Sequence, residues 1–230
     1  MQRAPLSSAK ETSVNFSKPN ASVAIANYAR LAARYDRSCW RIAALRAETV
    51  ALLGLRPGDR VLDAGCGTGL SFELLHDHVT SGGRVVGLEL SPDLARQARA
   101  RAVAIDPAAI SVTEGDAETA DLGSTPFDAA LFHYTHDLLR NPAALTHVFA
   151  SLRPGARIAV AGLKMGAPWA LPVSLVSIYR ARKYLSTFEG LEAPWSHLLR
   201  YVPDFRWRGR RAGTGYVGWG RVARGSTDAD

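Results

Sequence analysis

The 230-residue chain is 47% apolar and 21% charged, with a formal net charge of +7. That length can bury one large core, and the balance excludes a fibrous or wholly disordered chain. Two cysteines are too few for a disulfide framework, no secretory signal opens the chain, and no apolar run of about eighteen residues is present to span a bilayer. A cytoplasmic protein is expected. Residues 1–20 mix Ser, Lys, Pro and Asn without apolar periodicity and predict a mobile leader; residues 21–230 predict a single domain. In residues 21–55, apolar positions from Val23 to Leu53 recur at helical spacing, which predicts two N-terminal helices stopped by Pro57-Gly58-Asp59. Arg30, Arg34, Arg37, Arg41 and Arg46 are interleaved there, suiting a cover over a pocket or peripheral contact with an anionic bilayer. The pattern is not strongly one-sided, which favours the cover.

Residues 56–163 alternate strand and helix patterns, the signature of a parallel βαβ sheet that binds its ligand at the carboxyl ends of the strands. Val61-Leu62-Asp63-Ala64-Gly65-Cys66-Gly67-Thr68-Gly69 runs from a buried strand into three alternate glycines. A turn there must let backbone touch a ligand, and a Cβ would hold the ligand off. Glu89 closes the next apolar run, where an acid at the strand tip can accept hydrogen bonds from both ribose hydroxyls. The sixth position from Gly65 is Leu70 rather than glycine, and no Lys-Ser/Thr follows, so dinucleotide and P-loop readings fall behind. The pattern is that of a nucleoside site. Directly after the fourth strand pattern come His133-Tyr134-Thr135-His136-Asp137. His133 is the first candidate for a base, with a merely positional role as the alternative, and His136 and Asp137 are expected to start a helix.

These motifs resemble the class I S-adenosylmethionine (SAM)-dependent methyltransferases, whose first motif is an acid followed by Gly-x-Gly-x-Gly, here Asp63, Gly65, Gly67 and Gly69. Val112-Thr113-Glu114-Gly115-Asp116-Ala117 is similar to the family's third-strand motif, Phe127-Asp128-Ala129-Ala130-Leu131-Phe132 to its fourth strand, and Leu152-Arg153-Pro154-Gly155-Ala156 to the turn before its fifth strand, residues 157–163. The resemblance covers roughly residues 40–163, and Tyr35-Asp36 with the Leu-Arg-Pro-Gly turn looks most like the ubiquinone/menaquinone-biosynthesis and phospholipid N-methyltransferase branch. It implies a Rossmann-like α/β fold: a seven-stranded, mostly parallel sheet, helices on both faces and an antiparallel C-terminal hairpin. It also implies SAM as cofactor and S-adenosylhomocysteine (SAH) as product, held by Asp63, Gly65, Cys66, Gly67, Gly69, Glu89, Leu90, Asp116, Ala117 and His133. Asp63 would fix the glycine turn, approach the methionyl part, or both. Asp116 would approach the adenine amino group, and Cys66 reads as a small filler rather than a nucleophile. No His/Cys/Asp/Glu spacing suggests a metal.

Residues 164–204 follow as an insertion expected to be helical and to face the methyl donor. Its aromatics make Trp169, Tyr184, Phe188 and Trp195, together with Tyr28 and Tyr35, candidates for an acceptor pocket. In residues 205–230 two strand patterns around Ala-Gly-Thr-Gly predict the closing hairpin, with Arg206, Arg208 and Arg210 on one solvent-directed face. Lys and Arg outnumber the acids in residues 1–46 and 164–211, and a basic rim beside an aromatic pocket would favour an anionic acceptor, a nucleic acid or an acidic lipid surface. Neither a Pro-Pro-Tyr signature nor an RNA-binding module accompanies it, so the expected acceptor is small or lipid-like, methylated on nitrogen, oxygen or carbon. Two other readings stand: a SAM-binding regulatory or scaffold protein, and an RNA methyltransferase.

Overall fold

The computed structural model describes residues 19–20, 22–26, 36, 39–80, 82–166, 179, 185–210 and 213–224. The expected leader, apart from Pro19 and Asn20, and the candidates Tyr28, Tyr35, Trp169 and Tyr184 lie outside the described residues. Apolar and β-branched runs build seven strands: β1 Arg60–Ala64, β2 Arg84–Glu89, β3 Ile110–Glu114, β4 Phe127–His133, β5 Leu152–Leu163, β6 Arg206–Arg210 and β7 Gly215–Arg221. They form one sheet in the order β3-β2-β1-β4-β5-β7-β6. The first five are parallel; β7 is antiparallel to β5 and to β6, which is the hairpin the sequence predicts. The order reverses between β1 and β4, and in such sheets a crevice opens at that point, beyond the strand tips.

The central strands are buried on both faces, and their alternate residues feed two cores. Val61, Val85, Ile110, Ala129 and Leu131 pack with helices α1 (Ala43–Leu53), α2 (Phe72–Val79) and α3 (Pro92–Ile105). Leu62, Val86, Leu88, Ala130 and Phe132 face the other way, against α4 (His136–Leu139), α5 (Pro142–Ala150) and the 3-10 turn Ser196–Arg200. Local chemistry sets the helix ends. Asn141 caps α5 by accepting from the N–H groups of Ala143 and Ala144 at 3.1 and 3.2 Å, with Pro142 inside the first turn, where its missing N–H costs nothing. Gly54 ends α1 in the left-handed conformation, φ +55°.

Two local expectations shift. Residues 152–156, expected as a turn before the fifth strand, are extended and belong to β5; Phe127 pairs with Leu152 and Ala129 with Arg157, so the sheet takes up Pro154-Gly155 as an irregularity in register. Arg206, Arg208 and Arg210 were expected on a free solvent face. Arg208 and Arg210 instead close on the Glu48 carboxylate of α1, which holds that acid below the usual carboxylate range, and Arg208 also stacks over Trp219 at 5.5 Å.

A buried ion pair joins α1 to β5. Arg157 Nη2 lies 2.6 Å from Asp59 Oδ2 while Nη1 donates to the Gly54 carbonyl at 2.8 Å, and both residues are 7% exposed. Asp59 also accepts the Arg56 N–H at 2.5 Å. One guanidinium thereby fixes the end of α1, the 56–59 turn and the strand that carries the hairpin.

Candidate active site

A cavity of about 430 Å³ opens at the carboxyl ends of β1 to β4, a volume suited to one small ligand. Gly65 and Gly67 form its floor; Glu89 and Leu90 line it from β2, Gly115, Asp116 and Ala117 from β3, and His133, Tyr134 and Thr135 from β4. Seven of the residues the sequence singles out for the cofactor therefore share one wall: Gly65, Gly67, Glu89, Leu90, Asp116, Ala117 and His133. Asp63, Cys66 and Gly69 stand behind that wall, within the turn itself.

The glycines are needed for two separate reasons. Gly65, Gly67 and Gly69 all have positive φ, +78°, +60° and +77°, which L side chains rarely adopt. In addition, a Cβ on Gly65 would meet Thr135 Cγ2 at 2.5 Å and one on Gly69 would meet the Phe72 ring at 2.5 Å. The turn is then pinned by polar contacts. Gly65 and Cys66 donate to the Leu88 carbonyl at 2.8 and 2.9 Å. Glu89 Oε2 accepts the Gly67 N–H and Oε1 the Ser91 N–H, both at 2.8 Å. Glu89 is thus a brace for the glycine loop as well as part of the cavity wall, a double role the sequence reading does not contain. Burial raises its carboxyl pKa, opposed by those backbone hydrogen bonds.

The loop is also tied to the N-terminal segment. Asp36 Oδ1 accepts the Thr68 hydroxyl at 2.6 Å, Asp36 Oδ2 meets Arg101 Nη2 at 2.6 Å, and Arg101 Nη1 donates to the Thr68 carbonyl at 2.8 Å. Asp116 spends one oxygen on the Glu118 N–H at 3.0 Å, closing its own turn while lining the cavity. Cys66 is buried with Sγ 3.8 Å from the Gly67 carbonyl, and burial pushes its thiol pKa well up, so it is a packed, unreactive group.

Asp63 is buried, with Oδ2 unpartnered. Burial pushes its carboxyl up to about 7 from an ordinary 3.8; the nearby Arg46 guanidinium opposes the shift, the Glu89 charge adds to it, and a Ser71 hydrogen bond opposes it. Arg46 itself is 7% exposed on α1, a buried cation that sequence reasoning placed only in a helical arginine pattern. The raised Asp63 value fixes the sign of a pH effect. Between about pH 4 and 7 the folded protein holds a proton on Asp63 that the unfolded chain has released, so the Asp63 contribution to stability falls as pH rises through this window and is level above it, while the depressed rings of His133 and His136 contribute in the opposite sense up to about pH 6.5. Asp63→Asn is expected to remove the Asp63 contribution, so that the variant gains on the wild type between pH 4.5 and 7.5, read as the difference in their urea midpoints at the two pH values; Glu89, raised in the same direction, and His133 and His136, lowered, set the slope common to both proteins.

At the tip of β4, Tyr134 adopts φ +62°, a left-handed conformation that costs a bulky residue roughly 1–3 kcal/mol and recurs at functional sites. His133 beside it has an unpartnered, solvent-sealed Nε2. Burial, and secondarily Arg46, push its pKa down to about 3, so the ring is neutral across the physiological range. Of the two roles the sequence leaves open for His133, base or positioning group, a ring that resists protonation so strongly favours the second.

His136 and Asp137 do start α4, as expected, but they also line the cavity, and the sequence reading did not assign them to the site. Asn20 and Ser186, remote in sequence, join them: the Asn20 N–H donates to Ser186 Oγ at 2.9 Å, and the Ser186 N–H to Asp137 Oδ2 at 2.9 Å. The acceptor candidates fare differently. Trp195 does not line the cavity; it is 7% exposed in a core cluster, its ring 4.4 Å from that of Trp207 and 4.7 Å from that of Tyr216. Its large apolar ring seals the sheet beside β7. Phe188 is described and likewise lies outside the cavity wall. Of the insertion, residues 164–166, Tyr179, which is helical, and 185–204, which hold turns and the 3-10 segment, are described; 167–178 and 180–184 lie outside the described residues. Among the described residues no group of His, Cys, Asp and Glu could hold a metal, and no helix is long and apolar enough to cross a membrane.

Sheet order, glycine turn and strand-tip acid define a Rossmann-like nucleoside-binding domain. Residues 61–155 match the methyltransferase domain family. It is 39% identical over 110 residues to a 2-phytyl-1,4-naphtoquinone methyltransferase of Synechococcus elongatus, covering 46% of each chain. It is 33% identical over 163 residues to a malonyl-[acyl-carrier protein] O-methyltransferase of Serratia marcescens, covering 67% of this chain and 58% of that one. The chain thus spans about half the length of these curated relatives. Among solved structures, a SAM-dependent methyltransferase from Aquifex aeolicus superposes with a TM-score of 0.55 at 14% identity, over 77% of this chain and 89% of that one, a likeness of fold.

Proposed function

We propose that the protein transfers the methyl group of SAM to a small acceptor. The observation that carries this reading is the single cavity wall that brings Gly65, Gly67, Glu89, Leu90, Asp116, Ala117 and His133 together at the strand tips. The wall fits the cofactor on its own terms: the glycine floor leaves no room for a Cβ at Gly65, and Thr135 Oγ1 in the wall is buried without a partner, as is Asp63 Oδ2 behind it. Glu89, whose two oxygens keep lone pairs beyond the backbone bonds they accept, would hold the ribose hydroxyls. Asp116 and Ala117 would flank the adenine, and the glycine turn with Asp63 the methionyl part. When bound, SAM supplies a methyl on a sulfonium, a carbon already activated toward in-line attack.

The protein's contribution is then chiefly positional, since holding reactants about 3 Å apart and aligned can account for roughly 7–11 kcal/mol of a barrier. Neutral His133 serves as a positioning group at the tip of β4 and not as the proton acceptor. Tyr134 and Thr135 complete that edge, and the 19–26 segment, tied to Ser186, covers the mouth.

Calorimetric titration of the pure protein with SAH, followed by incubation with SAM carrying a labelled methyl and a cell extract, tests the proposal. SAH binding together with a labelled product is expected. SAH binding without transfer to any compound would replace the enzyme by a binding protein, and absence of SAH binding would end the donor assignment.

A further inference from the structure

We propose that the acceptor is an amine, received by His136 and Asp137 in the cavity wall. The inference rests on the methyltransferase reading above and names its substrate class. Its first support is charge. The cavity wall carries the carboxylates of Glu89, Asp116, Glu118 and Asp137, and among the described residues neither Lys nor Arg lines it. An anionic acceptor, which the basic composition of the chain had suggested, would enter a site of its own sign; an ammonium would be drawn in.

The second support is unfilled hydrogen-bonding capacity. His136 is 5% exposed and its Nε2 faces the Glu189 carbonyl at 3.1 Å. A carbonyl only accepts, so Nε2 carries the proton and Nδ1 is a bare lone pair, one without a partner. Burial, which pushes this ring down to about 4, keeps it so. Asp137 commits Oδ2 to the Ser186 N–H, while its buried Oδ1 has no partner. The His136 and Asp137 side chains thus offer two acceptors and no donor, which calls for a ligand group with at least two hydrogens to give, while the unpartnered Thr135 hydroxyl beside them can give or take one more. A primary or secondary ammonium has them; a phenol or alcohol has one, and a carboxylate none.

The chemistry balances. The ammonium gives one proton to the Asp137 carboxylate, whose burial raises its proton affinity, and so frees a lone pair on nitrogen. That pair forms the N–C bond as the C–S bond breaks and its electrons remain on sulfur, leaving a methylammonium and a neutral thioether. Asp137 returns its proton to solvent when the product leaves.

The test uses the full chain loaded with SAH and matched probes: benzylamine, benzyl alcohol and benzoate, then 1,4-diaminobutane, 1,4-butanediol and succinate. Amines are expected to raise the melting temperature above their alcohol and carboxylate partners, and Asp137→Asn to weaken amine binding about 10- to 100-fold, the loss of one charge-assisted contact. Unchanged SAH affinity in the same variant, measured by calorimetry, establishes that it is folded. In parallel, SAM labelled with carbon-13 at the methyl is turned over with a cell extract, and the carbon shift of the product identifies the bond formed. An N-methyl product supports the proposal. An O- or C-methyl product, or the lack of any preference for amines, overturns it while the methyltransferase reading stands; failure to bind SAH defeats that reading instead.

Discussion

Glu89→Ala should lower SAH affinity about a thousandfold in calorimetry. The carboxyl group is buried at 6% exposure, accepts two backbone N–H groups and sits at the tip of β2, and each hydrogen bond from a ligand hydroxyl to it, in its ionised form, is worth roughly 1.5–3 kcal/mol. Two ribose hydroxyls therefore account for about 3–6 kcal/mol, or two to four decades in Kd. The variant also strips partners from the Gly67 and Ser91 N–H groups, so the loop loosens and affinity falls further. Glu89→Gln separates the two effects. Its amide oxygen can brace one N–H, and a substantial recovery of melting temperature with little recovery of affinity is expected. A Glu89→Ala protein that binds SAH as the wild type does would remove the ribose from this site.

Arg157→Ala is expected to cost about 3–5 kcal/mol of stability, the usual penalty for leaving a buried charge without its partner. Asp59 would keep its buried carboxylate and the Gly54 carbonyl would lose its donor. For a chain of this size the melting temperature should fall by roughly 10 °C. Asp59→Asn combined with Arg157→Met should cost less than the two single changes added together, because no lone charge remains. Chemical denaturation of the four proteins checks both statements, and additive losses would mean that the two side chains are not energetically coupled.

The donor half of the molecule was legible because its chemistry is local. Three alternate glycines after an apolar strand, and an acid ending the next strand, are each dictated within a few residues, and the fold brings Gly65, Gly67 and Glu89 to one wall. The rest of the cavity wall is assembled from remote pieces: Asn20 meets Ser186 across 166 positions and Ser186 meets Asp137 across 49, and periodicity carries no such information. Trp195 misled because an aromatic residue announces burial without saying against what; here it is the hairpin strand. Pro154-Gly155 suggested a turn for the same kind of reason. Both residues are taken up within β5 as an irregularity in register, Gly155 at φ +77°, once neighbouring strands supply the remaining bonds. Arg46 stayed hidden because its effect is exerted on Asp63 and His133, far along the chain.

The brace from Glu89 to the backbone of Gly67 has a kinetic corollary. A bend already clamped into shape surrenders almost no disorder when its guest arrives, so little binding energy goes into freezing it. What must yield for cargo to come and go is then the cover, Asn20 resting on Ser186, and loosening that contact should quicken the exchange of spent for fresh donor without eroding how tightly either is held.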